Sequence, residues 1–203
     1  MNKKLFNFFR PYFLILIRPL IIYLGKLKMP YTSKTHVLRH FYYIVKTIKP
    51  GDTILSISRG HFSNLLLSIV NRGFYKHSAI YIGVENEIPM VVEAISEGVV
   101  KKSLIHFLAD KDEVAFIRPN PNIADSETIY LSNKWLEKQI GKPYDYNFSF
   151  NNEDFYCIEL NFFYYKAGKE DIEFTRAYNS KNEINPNDFY YAKKYFTTYF
   201  EIK

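Results

Sequence analysis

The sequence predicts an α+β domain in which an antiparallel sheet packs against helices. The chain has 203 residues, 47% of them hydrophobic, which is enough to bury one core and makes a single domain the default. The elements that the residue pattern predicts run in the order helix, strand, helix, hairpin, strand, helix. Because strands and helices do not alternate regularly, an antiparallel sheet is favoured over a doubly wound parallel one.

The first elements are predicted from apolar periodicity. A helix from Ser33 carries apolar residues at helical spacing, namely Val37, Phe41, Val45 and Ile48. Pro50-Gly51 ends this helix, and residues 52–58 alternate as a strand does. Residues 61–71 then predict a second helix, with Gly73 just past its end.

A hairpin follows, and it carries the first candidate site residues. Residues 77–82 alternate with period two, residues 83–89 hold turn formers, and residues 90–95 form the return strand. If the two strands pair in an even register, His77 and Glu93 lie on the same face, opposite or diagonal to each other. A slip of one residue would separate them.

The second half of the chain predicts helices, strands and one long helix that starts near the only cysteine. Residues 103–109 predict a short helix, residues 113–118 a strand, and residues 126–140 a helix capped by Ser126. A helix over 155–166, capped by one of residues 151–154, places Cys157 in its first turn. Asn185-Pro186 predicts the start of another helix, and the aromatic residues of 195–202 predict a last strand.

Charge divides the chain into two predicted parts. Residues 1–51 contain ten Lys or Arg and no acid, whereas the remainder contains seventeen against twenty-one. Residues 1–32 form a basic, apolar arm, and residues 33–203 form the domain. Arg10-Pro11 and Arg18-Pro19 interrupt the apolar run, which argues against a helix that spans a bilayer.

The arm is therefore predicted to lie on an anionic membrane surface. A signal or anchor, and a helix packed on the domain, are the alternatives, although no small-residue cleavage site follows. A membrane-associated or cytoplasmic location is favoured over a secreted one. No nucleic-acid motif accompanies the basic residues, so nucleic acid is not predicted as a partner.

A single cysteine limits the chemistry. It cannot form an intramolecular disulfide, and the five histidines show no metal-ligand spacing with it, so neither a metal nor another cofactor is predicted. At the start of a helix, however, unpaired amides and the helix dipole stabilise a thiolate. A thiol beside an imidazole is the minimum for a cysteine nucleophile, and a carboxylate such as Glu93 can orient the ring of His77.

Four motifs, in this order, resemble one family. They are His77-Ser78-Ala79-Ile80-Tyr81-Ile82-Gly83, Val91-Val92-Glu93-Ala94 with Ser96-Glu97-Gly98-Val99, Gly141-Lys142-Pro143-Tyr144-Asp145-Tyr146, and Tyr156-Cys157-Ile158-Glu159-Leu160. They resemble the YiiX-like branch of the NlpC-type papain-fold hydrolases, in which the papain order is circularly permuted and the histidine strand precedes the cysteine helix. The resemblance runs from about residue 50 to residue 189.

The resemblance implies a thiol hydrolase that cleaves an amide or related acyl bond of a small peptide or acylated amine. In it Cys157 is the nucleophile, His77 the general base and acid, and Glu93 the residue that orients the imidazole. Tyr144, Asp145 and Tyr156 are the candidate substrate-binding residues, although a turn or a helix contact would explain them equally well.

Two other functions are weighed against this hydrolase. One is a membrane-surface lipid acyltransferase or thioesterase of the lecithin:retinol type, whose relatives carry Asn-Cys-Glu-His where this chain has Tyr156-Cys157-Ile158-Glu159. The other is a catalytically silent binding domain, since a lone cysteine is commonly an inert buried residue.

Overall fold

The computed structural model describes residues 36–58, 73–146, 153–169 and 184–203. The strands are β1 (Thr53–Ile57), β2 (His77–Glu85), β3 (Ile88–Ile95), β4 (Gly98–Ser103), β5 (Glu113–Pro119) and β6 (Phe196–Ile202). The helices are α1 (His36–Arg39), α2 (Phe41–Thr47), α3 (Leu104–Leu108), α4 (Ser126–Glu137), α5 (Cys157–Gly168) and α6 (Pro186–Tyr191).

These six strands form one sheet in the order β4-β3-β2-β1-β5-β6, and every neighbouring pair is antiparallel. The β2–β3 hairpin closes through Asn86-Glu87, which adopt φ of 47° and 66°. Positive φ at both central residues is the geometry of a type I′ turn, whose twist matches that of the two strands. The result is the α+β architecture with an antiparallel sheet that the sequence predicts.

The two faces of the sheet carry separate cores, because alternate residues of each strand point to opposite sides. On one side, called here the α5 face, helices α4, α5 and α6 cover sheet residues such as Leu55, Ile80 and Val92. On the other side, called the α3 face, α1, α2 and α3 cover residues such as Ile54 and Val91. The active-site candidates are divided between these two layers.

Several predicted elements begin or end elsewhere. The helix expected from Ser33 is two short helices within the described residues, with a turn at His40. Helix α4 is capped by Asp125, which accepts a hydrogen bond from the Thr128 amide (2.8 Å), not by Ser126, and it ends at Glu137. A short exposed carboxylate can reach the free amides of the first turn, which accounts for the earlier cap.

Helix α5 also starts later than predicted, and one strand was not predicted at all. The N-cap is Tyr156 and not one of residues 151–154, since Phe155 pairs with Tyr144 in a parallel bridge that keeps this part of the chain extended. Strand β4 was not predicted because its six residues end in two lysines and a serine and are mostly half-exposed. Such an edge strand has a weak apolar alternation.

Other predictions agree with the structure. The short helix predicted over 103–109 is α3, Asn185 caps α6 with Pro186 at its first position, and β6 is the predicted last strand. The helix predicted over 61–71 and the arm of residues 1–32 lie outside the described residues. Among the described helices, none combines the length and the hydrophobicity that a membrane span requires.

A buried chain of hydrogen bonds sets the position of α5 on the sheet. Ser78 donates to the amide oxygen of Asn161 (3.1 Å), and the Asn161 amide nitrogen donates to Thr53 Oγ1 (2.9 Å). The hydroxyl oxygens of Thr53 and Tyr165 are 2.8 Å apart, and Tyr165 donates to the carbonyl of Gly51 (2.6 Å). Each donor has an acceptor, so the helix is held in one register along β1 and β2.

We predict that Asn161→Leu lowers the free energy of unfolding by roughly 2 kcal/mol, since buried hydroxyls on two strands lose their partner. Chemical denaturation monitored by circular dichroism measures this change. The matched control is Asn122→Leu at an exposed position, which we expect to change stability by less than about 0.5 kcal/mol. Equal effects of the two substitutions would contradict the assigned role of the Asn161 network.

Candidate active site

The site begins with a contact between the two strands of the β2–β3 hairpin. His77 is the first residue of β2, and Glu93 lies near the end of β3. Ile80 pairs with Val92 in the hairpin, and this even register places His77 and Glu93 diagonally on one face. His77 Nε2 and Glu93 Oε2 are 2.5 Å apart, so the contact expected from an even register is present.

The thiol comes from the other layer of the domain. Cys157 is the first residue of α5 and a free cysteine, and only 7% of its surface is exposed. Glu159, in the same turn, accepts a hydrogen bond from the backbone amide of Tyr156 (3.4 Å), which closes the start of the helix. The sulfur therefore lies at the positive end of a helix that is twelve residues long.

Cys157 and His77 meet at the end of the sheet. Ser78 points to the α5 face and bonds Asn161, so the preceding residue, His77, points to the α3 face. Because His77 is the terminal residue of its strand, the start of α5 can reach its ring past the strand end, and the imidazole hydrogen-bonds the Cys157 side chain. Glu93 occupies Nε2, which leaves Nδ1 as the ring nitrogen for the sulfur.

Both charged partners have strongly shifted pKa values. Burial acts to lower the pKa of His77, but the hydrogen bonds to Cys157 and Glu93 outweigh it and raise the pKa to about 9. Burial acts to raise the pKa of Glu93, but His77, Lys111 and Lys102 outweigh it and lower the pKa to about 2. At neutral pH the pair is therefore an imidazolium and a carboxylate.

Glu93 has a second charged partner, Lys102, which was not among the predicted site residues. The ammonium of Lys102, on β4, pairs with Glu93 Oε1, the carboxylate oxygen that does not face the imidazole. The carboxylate is 1% exposed, whereas the Lys102 side chain is 32% exposed. Each oxygen thus has its own cationic partner, which restricts rotation of the carboxylate about its last bond.

The α3 face also supplies an aromatic wall behind the imidazole. The ring of Phe107, on α3, lies 6.2 Å from the ring of His77. Lys111 Nζ lies 4.7 Å from the centre of the same Phe107 ring and 2.6 Å from Asp110 Oδ1. Phe107 itself is fully buried, so it excludes water from that side of the histidine.

The predicted substrate-binding residues differ in exposure and in their relation to the thiol. Tyr144 is half-buried. Burial raises its pKa well above the usual value, and the neighbouring Cys157 adds to this shift, so the side chain stays a neutral phenol. Asp145 is buried, and its amide donates to the Phe155 carbonyl (3.2 Å). Tyr156 is buried too, and its hydroxyl accepts from the Ile184 amide (3.1 Å). Substrate binding by these residues stays a prediction.

Two residues that support the site could have been found from spacing. Asn161 and Tyr165 follow Cys157 by four and eight residues, which is the spacing of one helix face, and both bond to the sheet. Polar groups on the face of a helix that also carries a buried thiol indicate a structural network. No pattern in the sequence pointed to Lys102, because the strand that carries it, β4, was not predicted.

Comparison with known proteins identifies the family and the fold. The sequence model of the permuted papain-like amidase enzymes, the YaeF/YiiX or C92 family, matches residues 47–197. A search of curated protein sequences found no match. Among solved structures, the chain is similar to that of the metalloprotein YiiX from Escherichia coli O157:H7, with 20% identity and a TM-score of 0.61. The similarity covers 76% of this chain and 97% of that one.

That structure is described as one of a metalloprotein. Over the described ranges, no group of three or more His, Cys, Asp or Glu side chains is arranged to hold a metal ion. Cys157, His77 and Glu93 are instead engaged with one another and with Lys102. In the part of the chain that the structure describes, these three side chains therefore do not form an open set of metal ligands.

The family match spans more than half of the chain, and the structural match supports the same permuted fold. Both confirm the predicted resemblance to YiiX-like proteins and the predicted fold class. The family consists of papain-like cysteine enzymes of the amidase or peptidase type. The predicted enzyme class, a cysteine hydrolase, is therefore confirmed. The chain belongs to the YaeF/YiiX family of permuted papain-like amidases.

Proposed function

We propose that this protein hydrolyses an amide bond of a small peptide or acylated amine through a covalent intermediate on Cys157. The observation that carries the proposal is that one imidazole, that of His77, interacts with both Cys157 and Glu93, with Glu93 Oε2 2.5 Å from its Nε2. A thiol, an imidazole and an orienting carboxylate in this order are the parts that nucleophilic acyl transfer requires. The family membership supports the reaction class.

In the first step the thiolate of Cys157 attacks the carbonyl carbon of the amide. The imidazolium state of His77, favoured by its pKa of about 9, places a positive charge and a transferable proton beside the sulfur. As the tetrahedral intermediate collapses, the C–N bond breaks and His77 gives its proton to the leaving amine. The acyl group is then held on sulfur as a thioester.

In the second step water releases the acyl group. Neutral His77 removes a proton from the water, whose oxygen attacks the thioester carbon, and the C–S bond breaks. The products are a carboxylic acid and the free enzyme. Glu93 remains ionised throughout, since its pKa is about 2, and it stabilises the imidazolium of the resting site, which forms again in the second step.

The oxyanion of each intermediate can be stabilised by groups near the thiol. The amides of the first turn of α5 have no acceptor within the helix and point toward its start. Amides in this position, next to the nucleophile, are suited to bind developing negative charge. The neutral phenol of Tyr144, close to Cys157, is a further candidate donor to the substrate.

Lys102 is proposed to act as a positioning residue for Glu93. It pairs with the carboxylate oxygen that faces away from the imidazole, so Glu93 Oε2 stays directed at His77 Nε2. It also helps to lower the pKa of Glu93, which keeps the carboxylate charged when the pH falls. The neighbouring Lys101 instead donates a hydrogen bond to Glu85 (2.8 Å). Within the described part of the chain it forms no ion pair with Glu93.

The ionisation state can be tested by NMR titration of the histidine side chains. We predict that the His77 ring keeps its proton through neutral pH and loses it near pH 9, whereas in Glu93→Gln its pKa falls because the carboxylate charge is gone. Glu85→Gln, in the same hairpin, is the control and should leave the titration unchanged. A wild-type pKa near 6.5 would contradict the proposed ion pair.

The nucleophile and base can be tested by amide turnover. We predict that Cys157→Ser and His77→Ala each lower kcat/KM by about a thousandfold or more, because each removes a group that acts in the transition state. Acid quenching followed by mass spectrometry should show the wild-type chain carrying the substrate's acyl group on Cys157.

His106→Ala is the matched control for the histidine variant. His106 lies on α3, and within the described residues its hydrogen bonds are to Ser103. A Cys157→Ser enzyme with unchanged turnover would overturn the proposed mechanism. Acyl-lipids and acyl-peptides should be supplied in parallel. Transfer of the acyl group to a lipid hydroxyl in preference to water would assign the acyltransferase alternative instead.

The role of Lys102 predicts a shift in the pH profile. In Lys102→Met the Glu93 pKa rises, so the acidic limb of kcat/KM moves to higher pH. We expect the rate at neutral pH to fall about tenfold, since leaving the buried carboxylate oxygen without its cationic partner costs about 1.5 kcal/mol. Steady-state kinetics across pH measure both effects.

Two companion variants make this test specific. Lys102→Arg should restore most of the rate, because it keeps the charge, and Lys101→Met should behave like wild type. If Lys102→Met left the acidic limb in place while His77→Ala and Cys157→Ser abolished turnover, the positioning role would be wrong and the catalytic assignment would stand.

A further inference from the structure

The surface formed by α1 and α2 has an unusual composition. Seven of residues 36–50 are exposed, namely Arg39, His40, Tyr42, Tyr43, Lys46, Lys49 and Pro50. None is acidic, and five of the seven are tyrosine, lysine or arginine. We call these seven residues the α1–α2 surface. Exposed aromatic and basic side chains without any acid between them are suited to an anionic partner that also accepts apolar groups.

Two tyrosines are the main apolar part of this surface. Tyr42 is 71% exposed and Tyr43 is 50% exposed. Tyr43 and His40 both pack on Phe200 of β6, at ring distances of 4.9 and 6.0 Å, so their exposed edges are held in place by the domain. Lys46 Nζ lies 4.4 Å from the centre of the Tyr42 ring, which places a charge and an aromatic group side by side.

We propose that the α1–α2 surface binds the headgroup region of an anionic lipid bilayer. Tyrosine is enriched at the membrane interface, where its ring is apolar and its hydroxyl is hydrated, and lysine and arginine are attracted to lipid phosphates. The charge of the preceding sequence agrees, since residues 1–51 carry ten basic residues and no acid.

A bilayer fits the sequence better than another polyanion does. The basic residues at the start of the chain are interleaved with an apolar stretch over residues 5–24. Nucleic acid could neutralise the charges but offers little apolar volume for such a stretch, whereas the headgroup and acyl-chain boundary accepts both. The α1–α2 surface would then extend the same contact onto the folded domain.

This contact would also orient the catalytic residues. Helices α1 and α2 lie on the α3 face of the sheet, which is the face that carries His77 and Glu93. Helix α1 contacts α3, whose Phe107 lies behind the imidazole. If the protein binds through the α1–α2 surface, the layer that contains the imidazole faces the lipid. The layer formed by α4 and α6 then faces away from it.

The test uses the full chain and vesicle flotation. Vesicles of phosphatidylcholine alone are compared with vesicles that also contain phosphatidylglycerol, at low and high salt. We expect wild type to bind the anionic vesicles only, and binding to weaken as salt rises. The double variant Tyr42→Ser, Tyr43→Ser and the charge reversal Lys46→Glu should each lower the partition coefficient about tenfold.

The matched control lies on α4. Lys134 Nζ is 4.4 Å from the centre of the Tyr130 ring, and Tyr130 is 57% exposed, so this pair reproduces the geometry of Tyr42 and Lys46 on the opposite face. Tyr130→Ser should bind vesicles as wild type does. Circular dichroism and thermal melting of each variant would show that the fold is kept.

Several outcomes would overturn the proposal. They are no binding of wild type to anionic vesicles, equal loss in Tyr130→Ser, and unchanged binding of the Tyr42, Tyr43 double variant. The last result would assign any membrane contact to residues 1–35 alone. Retention of the chain on an RNA homopolymer with no binding to vesicles would assign nucleic acid as the partner.

Discussion

The contact between His77 and Glu93 is the interaction on which the rest of the site depends. It joins the two strands of a tight hairpin, so its geometry follows from backbone pairing and not from flexible side chains. A buried carboxylate is costly unless it is paired, and here each of its oxygens meets a cation, one from His77 and one from Lys102. The hairpin and the neighbouring strand thus supply a fixed charge at the imidazole.

The thiol reaches this contact because two layers of the domain meet at one end of the sheet. Helix α5 packs on the face opposite the imidazole, and the Asn161 network sets how far along the strands it sits. Since Cys157 is the first residue of the helix and His77 the first residue of its strand, the two ends come together. A helix shifted by one turn, about 5.4 Å, would separate the sulfur from the ring.

The two faces of the sheet contribute different groups to the site. The α3 face provides the imidazole, the carboxylate, Lys102 and the buried ring of Phe107, while the α5 face provides the nucleophile and the amides of a helix start. The exposed tyrosines and lysines of α1 and α2 belong to the former layer. In the proposals made here, that layer also faces the lipid.

Local patterns of residues were sufficient to predict several parts of this structure. Alternation and turn residues predicted the hairpin and showed that an even register would bring His77 and Glu93 together. The predicted helix placed Cys157 in its first turn, and motif order predicted the permuted papain-like family. These follow from spacing along the chain, which a single sequence records. Other parts depend on contacts between residues that are distant in the chain. Strand β4 exists because it pairs with β3, and its half-exposed residues show no clear period. Lys102 meets Glu93 only through that pairing. Likewise, no local rule relates Asn161 to Ser78, because their contact is made between a helix and a strand that are 83 positions apart.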